Sequence, residues 1–146
     1  MWICSGGFVD SGATMLDVSP KSKANVRAAA ESLPFKDASF DFIFIDPPYS
    51  EEEAKRLYAL PYIRLTTSLN EAWRVLEPGG YMGFLHRLIP QNDGNLRVRP
   101  SNIIALIGVS IIASWSNMRA LTVWRKPNNL TSLDSIIVGK TSIDGA

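Results

Sequence analysis

The chain has 146 residues, which is enough for one domain with its own core. A hydrophobic content of 46% and a charged content of 20% predict a globular protein rather than a disordered one. The net charge of +1 excludes a strong positive field over the whole molecule. A nucleic-acid contact would therefore need a local patch such as Arg97 and Arg99, for which a solvated loop is the simpler interpretation.

The chain contains one cysteine, Cys4, and one histidine, His86. A single cysteine cannot form a disulfide framework and suits a reducing cytosol, so we expect a cytoplasmic protein. These two residues cannot supply a Cys/His zinc site, and no metal is expected. The chain does not open with a basic stretch followed by a long apolar one, and its longest apolar run, 103–115, is shorter than the ~20 residues of a membrane span. Neither a signal peptide nor a membrane partner is therefore expected.

Strand-like segments alternate with helix-like ones, which predicts an α/β fold with a mainly parallel sheet. The run 41–46 is nearly all apolar, as expected of a strand that is covered on both faces. The last two strands are joined by the short link 114–117, which predicts an antiparallel hairpin. The predicted strands span 1–4, 14–18, 25–28, 41–46, 81–86, 103–112 and 120–125.

Two helices are predicted from capping residues and periodicity. Ser50 is the expected N-cap of a helix over 51–59, with Glu53 completing a capping box. Two i,i+4 pairs, Glu51 with Lys55 and Glu52 with Arg56, would support this helix. The second helix is predicted to start near Leu65 and to end near Glu77, before Pro78-Gly79-Gly80. Its repeating apolar residues are Leu65, Leu69, Ala72, Trp73 and Leu76. One domain is expected over 1–127, followed by a tail over 128–146 in which 135–138 would be the only further strand.

The segment Asp46-Pro47-Pro48-Tyr49-Ser50 directly follows the apolar run 42–45. Prolines fix the backbone and remove N–H donors. The carboxylate of Asp46 and the proline carbonyls are therefore free acceptors at the end of a buried strand, with the flat ring of Tyr49 beside them. This combination predicts a site that holds the amine of a planar group. The alternative is a rigid strand-to-helix turn that Ser50 caps.

Three further segments resemble the class I S-adenosylmethionine-dependent methyltransferases. The stretch LPFKDASFD at 33–41 resembles the lead into the fourth strand of that family, and RVLEPGG at 74–80 resembles the turn before its fifth strand. The stretch 119–126 resembles its terminal antiparallel strand, and the similarity covers roughly 14–127. The resemblance implies a Rossmann-like sheet, mainly parallel with a C-terminal antiparallel hairpin, and S-adenosylmethionine as cofactor.

Asp46-Pro47-Pro48-Tyr49 resembles the catalytic DPPY motif of family members that methylate amino groups on planar targets, chiefly bases of DNA and RNA. By this resemblance, Asp46 and the Pro47 carbonyl accept the two N–H bonds of an exocyclic amine and turn its lone pair toward the sulfonium methyl. Tyr49 then stacks on the target, as aromatic side chains do on unstacked bases, and Pro48 belongs to the same motif. The implied function is N-methylation of an exocyclic amine, with a nucleic-acid base as the favoured target.

On the cofactor side, the resemblance implies that Asp17, at the end of the second strand, binds the ribose hydroxyls. Ser5-Gly6-Gly7 corresponds to the glycine-rich turn after the first strand, with Cys4 inside it. Ala30 and Glu31 fall where the family contacts adenine. The implied cofactor-binding residues are therefore Cys4, Gly6, Gly7, Asp17, Ala30 and Glu31.

Three features depart from the family pattern in this half of the chain. Ile3 or Cys4 stands where an acid normally ends the first strand, and the turn has only two glycines. The segment 8–13 is too short for the helix that joins parallel strands, because such a crossover needs about a dozen residues. A loop in place of the helix, a shortened gene or an evolutionary reduction would each account for it.

Two other functions remain open on the sequence alone, a non-catalytic methyltransferase-like scaffold or partner subunit and a small-molecule methyltransferase. The chain has no spare length for a separate target-recognition domain. A DNA enzyme with sequence specificity would therefore need a protein partner. Apolar residues near Leu57, Tyr58, Leu60 and Tyr62 would serve either a homodimer or the core.

Overall fold

The computed structural model describes residues 1–7, 12–91, 94–110 and 118–128. Within these ranges the strands are β1 (Trp2–Ile3), β2 (Met15–Asp17), β3 (Val26–Arg27), β4 (Phe40–Ile45), β5 (Leu76–His86), β6 (Ile103–Val109) and β7 (Arg119–Arg125). The helices are α1 (Glu51–Glu53), which continues as a π-helical segment (Ala54–Tyr58), α2 (Leu65–Val75) and a 3-10 turn (Pro100–Asn102). The predicted link at 114–117, the end of the predicted strand 103–112 and the tail segment 135–138 lie outside the described residues.

The strands of the described residues form one sheet in the order β3-β2-β1-β4-β5-β7-β6. The first five strands in this order run parallel, and β7 runs antiparallel to both β5 and β6. The predicted Rossmann-like sheet with a C-terminal antiparallel pair is therefore confirmed. In sheets of this kind, ligands bind outside the carboxyl ends of the strands at the point where the strand order reverses. Here that point lies between β1 and β4.

Helix α2 covers one face of the sheet with its apolar side. Leu69, Ala72 and Val75 are at most 2% exposed and belong to the main hydrophobic core. On the sheet, that core contains alternate residues of the central strands, namely Ile3, Ile43, Ile45, Met82, Phe84 and Trp124. The end of α2 is tied down by Lys126, whose ammonium donates to the carbonyls of Trp73 at 2.7 Å and Leu76 at 2.6 Å. These bonds satisfy carbonyls that a helix end leaves unpaired.

Helix α2 ends at Val75, slightly earlier than the sequence predicts, and β5 is correspondingly longer than expected. Leu76 already pairs with Phe40 of β4, before the Pro-Gly-Gly turn, and the pairing resumes at Tyr81 opposite Phe42. The turn requires Gly80, because a side chain there would begin 2.8 Å from the carbonyl oxygen of Asp41. None of the helices in the described ranges is both long enough and apolar enough to cross a bilayer.

The segments 33–41 and 74–80 are joined through Arg74 of α2. Its guanidinium donates to the carbonyls of Leu33 at 3.1 Å and Phe35 at 2.8 Å, and it forms ion pairs with Glu71 and Asp37. Glu71 in turn accepts the Leu33 N–H at 3.0 Å, so both backbone polar groups of Leu33 are bound. The pKa of Arg74 is raised because both carboxylates bond to it, Glu71 most strongly. The two segments that resemble family motifs are therefore held together by these hydrogen bonds and ion pairs.

The expectation that β4 is covered on both faces is wrong for its first half. Ile43 and Ile45 are buried against the α2 side, but Phe42 is 48% exposed and its cross-strand partner Tyr81 is 41% exposed. The described parts of the connection between β1 and β2, residues 4–7 and 12–14, contain no helix. Within the described residues, no helix from that connection covers Phe42 and Tyr81.

Candidate functional site

A cleft lies where the strand order reverses, beside the carboxyl ends of β1, β2 and β4. It encloses about 410 Å³, part of which is open to solvent, and is lined by Cys4, Gly6, Asp17, Val18, Asp46, Pro48, Tyr58, Leu60, Pro61 and Ile63. Half of this wall consists of residues that the sequence predicts for the site, with Cys4, Gly6 and Asp17 on the cofactor side. Asp46 and Pro48 come from the target side. Parallel strands bring these five residues together because their carboxyl ends share one edge of the sheet.

Asp17 ends β2 with a carboxylate that is almost fully buried. Its Oδ2 accepts the N–H of Gly6 at 2.8 Å, and its Oδ1 accepts the N–H of Ser19 at 2.7 Å. These bonds join the turn after β1 to the end of β2. Each carboxylate oxygen keeps a second lone pair. Asp17 can therefore still accept a ligand hydroxyl where it lines the cleft.

The turn after β1 is sharply bent and open on the side of its glycines. Cys4 and Gly6 both have left-handed backbone angles, with φ of 59° and 56°. A side chain placed on Gly6 or Gly7 would meet no atom within 4 Å among the described residues. The pKa of Cys4 is raised to about 12, first by burial and then by the carboxylates of Asp17, Glu31 and Asp46. Its thiol is therefore protonated at neutral pH and is no nucleophile.

Three residues predicted for the cofactor do not line this cleft. Ala30 is 4% exposed and packs in the hydrophobic core. The Oε1 of Glu31 accepts the N–H of Arg64 at 2.9 Å and so holds the residue that precedes α2. Gly7 lines a neighbouring cavity of about 450 Å³ that also involves Lys21 and Tyr58.

On the target side, Asp46 and Tyr49 are hydrogen-bonded to each other. The Tyr49 hydroxyl donates to Oδ1 of Asp46 at 2.7 Å, and no group of the described residues donates to Oδ2. Burial raises the pKa of Asp46, an effect that the Tyr49 hydrogen bond and the charge of Arg119 oppose. Burial also raises the pKa of the Tyr49 phenol, so this hydroxyl is a donor throughout the physiological range. Pro47 is buried and does not line the cleft.

The helix after the motif begins as predicted but does not continue as an α-helix. Ser50 accepts the N–H of Glu53 at 3.1 Å, and the Glu53 carboxylate reaches back to the N–H of Tyr49 at 2.6 Å rather than to that of Ser50. The expected pair of Lys55 with Glu51 forms at 2.7 Å. The expected pair of Glu52 with Arg56 is not among the ion pairs of the described residues.

Beyond Glu53 the helix widens into the π-helical segment and ends at Ala59, whose φ of 54° is left-handed. Short π-helical segments are frequent at functional sites. Here the segment and the turn that follows place Tyr58, Leu60, Pro61 and Ile63 on the cleft wall. The sequence offers Tyr58 and Leu60 only as core or dimer contacts. The position of these residues in the cleft wall depends on the π-helical geometry, which the hydrophobic periodicity of the sequence does not reveal.

His86, the last residue of β5, is fully buried. Its Nδ1 accepts the N–H of Leu88 at 2.9 Å, which assigns the ring proton to Nε2, 3.1 Å from the Tyr62 hydroxyl. Its ring packs edge to face with Tyr49, with 5.5 Å between centroids, and stacks on Phe84. Burial lowers the pKa of His86, so the imidazole that packs against the Tyr49 ring is neutral at neutral pH.

Two arginines that the sequence interpretation missed adjoin the Tyr49 ring. The guanidinium carbon of Arg119 lies 4.4 Å from the ring centroid, and that of Arg87 lies 5.7 Å from it. No sequence signal could have found Arg119, because only the antiparallel pairing of β7 with β5 brings it to Tyr49. Arg97 and Arg99, the patch considered from the sequence, are exposed and do not line the cleft.

The residues present fit S-adenosylmethionine. Asp17 supplies an anchored carboxylate for hydroxyl groups, and the turn at Gly6 leaves space beside it. Asp17 and Asp46 are both acidic and both line the cleft, which suits a ligand with a positively charged sulfur.

Comparison with known proteins gives the family of the chain. A family described as a methyltransferase domain matches residues 8–84, slightly more than half of the sequence. No curated protein matches the chain.

Similar solved structures include a candidate methyltransferase from Bacillus halodurans C-125, which is 14% identical with a TM-score of 0.45. That similarity covers 70% of this chain and 71% of the other. An S-adenosylmethionine-dependent methyltransferase from Methanosarcina mazei is 15% identical over 75% of this chain and 71% of the other, with a TM-score of 0.42. A candidate DNA modification methylase from Thermus thermophilus is 19% identical over 67% of this chain, with a TM-score of 0.42, and the match spans 51% of that protein.

The family match includes β2, β3, β4, the Asp46–Tyr49 motif and α2, and it reaches Phe84 in β5. The enzyme class and the cofactor expected from the sequence are confirmed at the level of the family. The chain belongs to the methyltransferase domain family and is an S-adenosylmethionine-dependent methyltransferase.

Proposed function

We propose that the protein methylates the exocyclic amine of a planar target, with a nucleic-acid base as the favoured target. One observation carries the proposal. Cys4, Gly6 and Asp17 line the same cleft as Asp46 and Pro48, so a methyl donor held by the first three residues would lie against the carboxylate of Asp46. Bringing donor and acceptor into one geometry removes much of the entropic barrier of a two-substrate reaction.

The proposed cofactor contacts use the groups at the cleft wall. Asp17 would bind the ribose hydroxyls through the free lone pairs of its anchored carboxylate. The open turn of Cys4 and Gly6 would lie along the amino-acid part of the cofactor, and Gly7 continues that turn into the neighbouring cavity. Ala30 and Glu31 would act indirectly, because the first packs in the core and the second holds the backbone before α2.

The proposed chemistry forms one N–C bond and breaks one S–C bond. S-adenosylmethionine, when bound, supplies an electrophilic methyl group on a positively charged sulfur. The Oδ2 of Asp46 and the carbonyl of Pro47 accept the two amine N–H bonds, which draws the nitrogen lone pair out of conjugation and toward the methyl. The nitrogen becomes positively charged, and Asp46 stabilises that charge and is placed to take the surplus proton. Tyr49 holds the plane of the target, and Pro48 keeps the motif rigid.

Calorimetry and a transfer assay test the proposal together. We expect S-adenosylhomocysteine to bind and Asp17→Ala to weaken this binding at least tenfold. Asp46→Ala should retain cofactor binding but abolish methyl transfer to oligonucleotides that contain adenine, cytosine and guanine. Glu52→Ala removes an exposed carboxylate of the adjacent helix and serves as the matched control, with both activities unchanged.

Three outcomes would contradict the proposal in different ways. No cofactor binding up to millimolar concentration would favour a non-catalytic scaffold or partner subunit. Equal loss of binding and transfer in Asp46→Ala would remove the role assigned to Asp46. Transfer to small amines but to none of the oligonucleotides would keep the chemistry and favour a small-molecule target.

A further inference from the structure

The two arginines beside Tyr49, Arg87 and Arg119, differ from Arg74 in their ion pairing. Arg74 forms ion pairs with Asp37 and Glu71. Neither Arg87 nor Arg119 has a carboxylate within 4 Å in the part of the chain that the structure describes. Arg87 is exposed and Arg119 is half-buried. Both guanidinium groups therefore retain hydrogen-bonding capacity at the mouth of the target side.

The fold brings these two like charges to one aromatic ring. Arg87 directly follows the last residue of β5, and Arg119 is the first residue of β7, whose pairing with β5 reaches His86 and Ala120. Like charges held near one another without a counter-charge repel each other. An anion between the two groups would remove this repulsion, and guanidinium groups bind phosphate oxygens through paired hydrogen bonds.

Arg119 also covers the surface that the target needs. At 4.4 Å from the ring centroid, its guanidinium lies over Tyr49 at the distance at which a planar group would stack. A stacked base and this guanidinium cannot occupy the same face of the ring together. A target that stacks on that face would displace Arg119, which starts β7 and has a long, flexible side chain.

We propose that Arg119 and Arg87 bind the phosphate groups that flank the target base, with Arg119 lying on Tyr49 until the base displaces it. The inference rests on the proposed function and deepens it, because it specifies a target whose planar amine is attached to a nucleic-acid backbone. It needs no positive charge elsewhere on the surface, which agrees with a net charge of only +1.

Fluorescence anisotropy with two short single-stranded oligonucleotides of the same mixed sequence tests this inference. One has a phosphodiester backbone and the other a neutral methylphosphonate backbone, so that the bases are identical and only the charge differs. Binding is measured with saturating S-adenosylhomocysteine and without it. Adenosine and cytidine monophosphates are added as competitors, so that binding of a free nucleotide is distinguished from binding of a strand.

For the wild-type protein we expect the charged strand to bind at least tenfold more tightly than the neutral one. For two phosphate contacts on a single strand, log Kd should change with log salt with a slope of magnitude about 1.4. Arg87→Ala and Arg119→Ala should each reduce that slope to about 0.7. Arg97→Ala removes an exposed loop arginine and should leave the slope unchanged.

Binding of the neutral strand distinguishes displacement of Arg119 from Tyr49 from a general loss of binding in the variant. Arg119→Ala should bind the neutral strand at least as tightly as the wild type, because no guanidinium then has to leave Tyr49. Equal binding of the two strands by the wild type, or equal weakening of both by Arg119→Ala, would overturn the inference. Competition by the mononucleotides as strong as that by the strand would overturn the assignment to a nucleic-acid backbone. Cofactor binding and transfer by the wild type are scored separately, so the proposed function can stand if this inference fails.

Discussion

The hydroxyl group of Tyr49 donates a hydrogen bond of 2.7 Å to Oδ1 of Asp46, three residues earlier in the chain. The bond joins the ring that would stack on a target to the carboxylate that would accept its amine. One carboxylate oxygen is thus oriented by the protein, while the other has no donor among the described residues. The pair forms a single preorganised unit in which the position of the ring and the direction of the carboxylate are linked.

Substitutions of Tyr49 should separate the role of its hydroxyl, which orients Asp46, from the role of its ring, which would stack on the target. Tyr49→Phe keeps the ring but loses the hydrogen bond to a charged group, which is worth about 1.5–3 kcal/mol. We expect kcat to fall roughly ten- to a hundredfold with little change in KM for the target. Tyr49→Ala should in addition raise KM, because it removes the stacking surface. Steady-state kinetics of both variants check this, and identical profiles would show that the hydrogen bond has no role of its own.

Asp46→Asn should stabilise the fold at neutral pH while it removes activity. Burial raises the pKa of Asp46 in the folded protein, which means that folding disfavours its charged form. The wild type therefore has its full stability at pH values below the unfolded pKa of about 3.8 and loses part of it as the pH rises through the raised pKa. The Tm difference between Asp46→Asn and wild type should be positive at pH 7 and shrink as the pH falls. A Tm difference that grows as the pH falls would contradict the raised pKa of Asp46.

Cys4 offers a test of backbone strain beside the cleft. A residue other than glycine at a φ of 59° is strained by roughly 1–2 kcal/mol, part of which is offset by the greater unfolded-state freedom of glycine. Cys4→Gly should therefore be more stable than Cys4→Ala by about 0.5–1 kcal/mol. The two variants lose the same thiol, so thermal unfolding of this pair isolates the backbone. Greater stability of the alanine variant would show that the turn relaxes without strain.

Arg74 should be a stability residue with no direct part in transfer. Arg74→Ala removes five hydrogen bonds to the segment 33–37 and to Glu71, and we expect a loss of about 2–4 kcal/mol in unfolding free energy. Arg74→Lys keeps the charge but cannot reproduce the planar fork, and should lose about half as much. Denaturant unfolding measures both. Under conditions where the variants are folded, kcat should match the wild type, and a selective loss of kcat would place Arg74 in the active site.

The sheet could be anticipated because its signals are local. The apolar run 41–46 and the Pro-Gly-Gly turn after α2 each mark an element within a few residues, and the closeness of the last two strands in sequence favours the antiparallel pairing that β6 and β7 have. The resemblance to methyltransferases also follows from such segments. Asp17 and Asp46 could be placed in one cleft because parallel strands share their carboxyl edge.

The parts that sequence reasoning missed depend on tertiary contacts. Arg119 meets Tyr49 only through the register between β5 and β7, and His86 is buried because Phe84, Tyr49 and Tyr62 surround it. The exposure of Phe42 depends on what covers the sheet, which its own apolar sequence cannot report. The change from α- to π-helix after Glu53 likewise leaves no periodic signal.

One continuous segment forms both ends of the cleft. Asp46 and Pro48 stand at its start, and Tyr58, Leu60 and Ile63 stand after the π-helical part, yet all of them line the same space. A cofactor in the cleft therefore rests against the segment that also carries Tyr49. We expect binding of the cofactor to restrain Tyr49, so that cofactor and target would each raise the affinity for the other by the same factor.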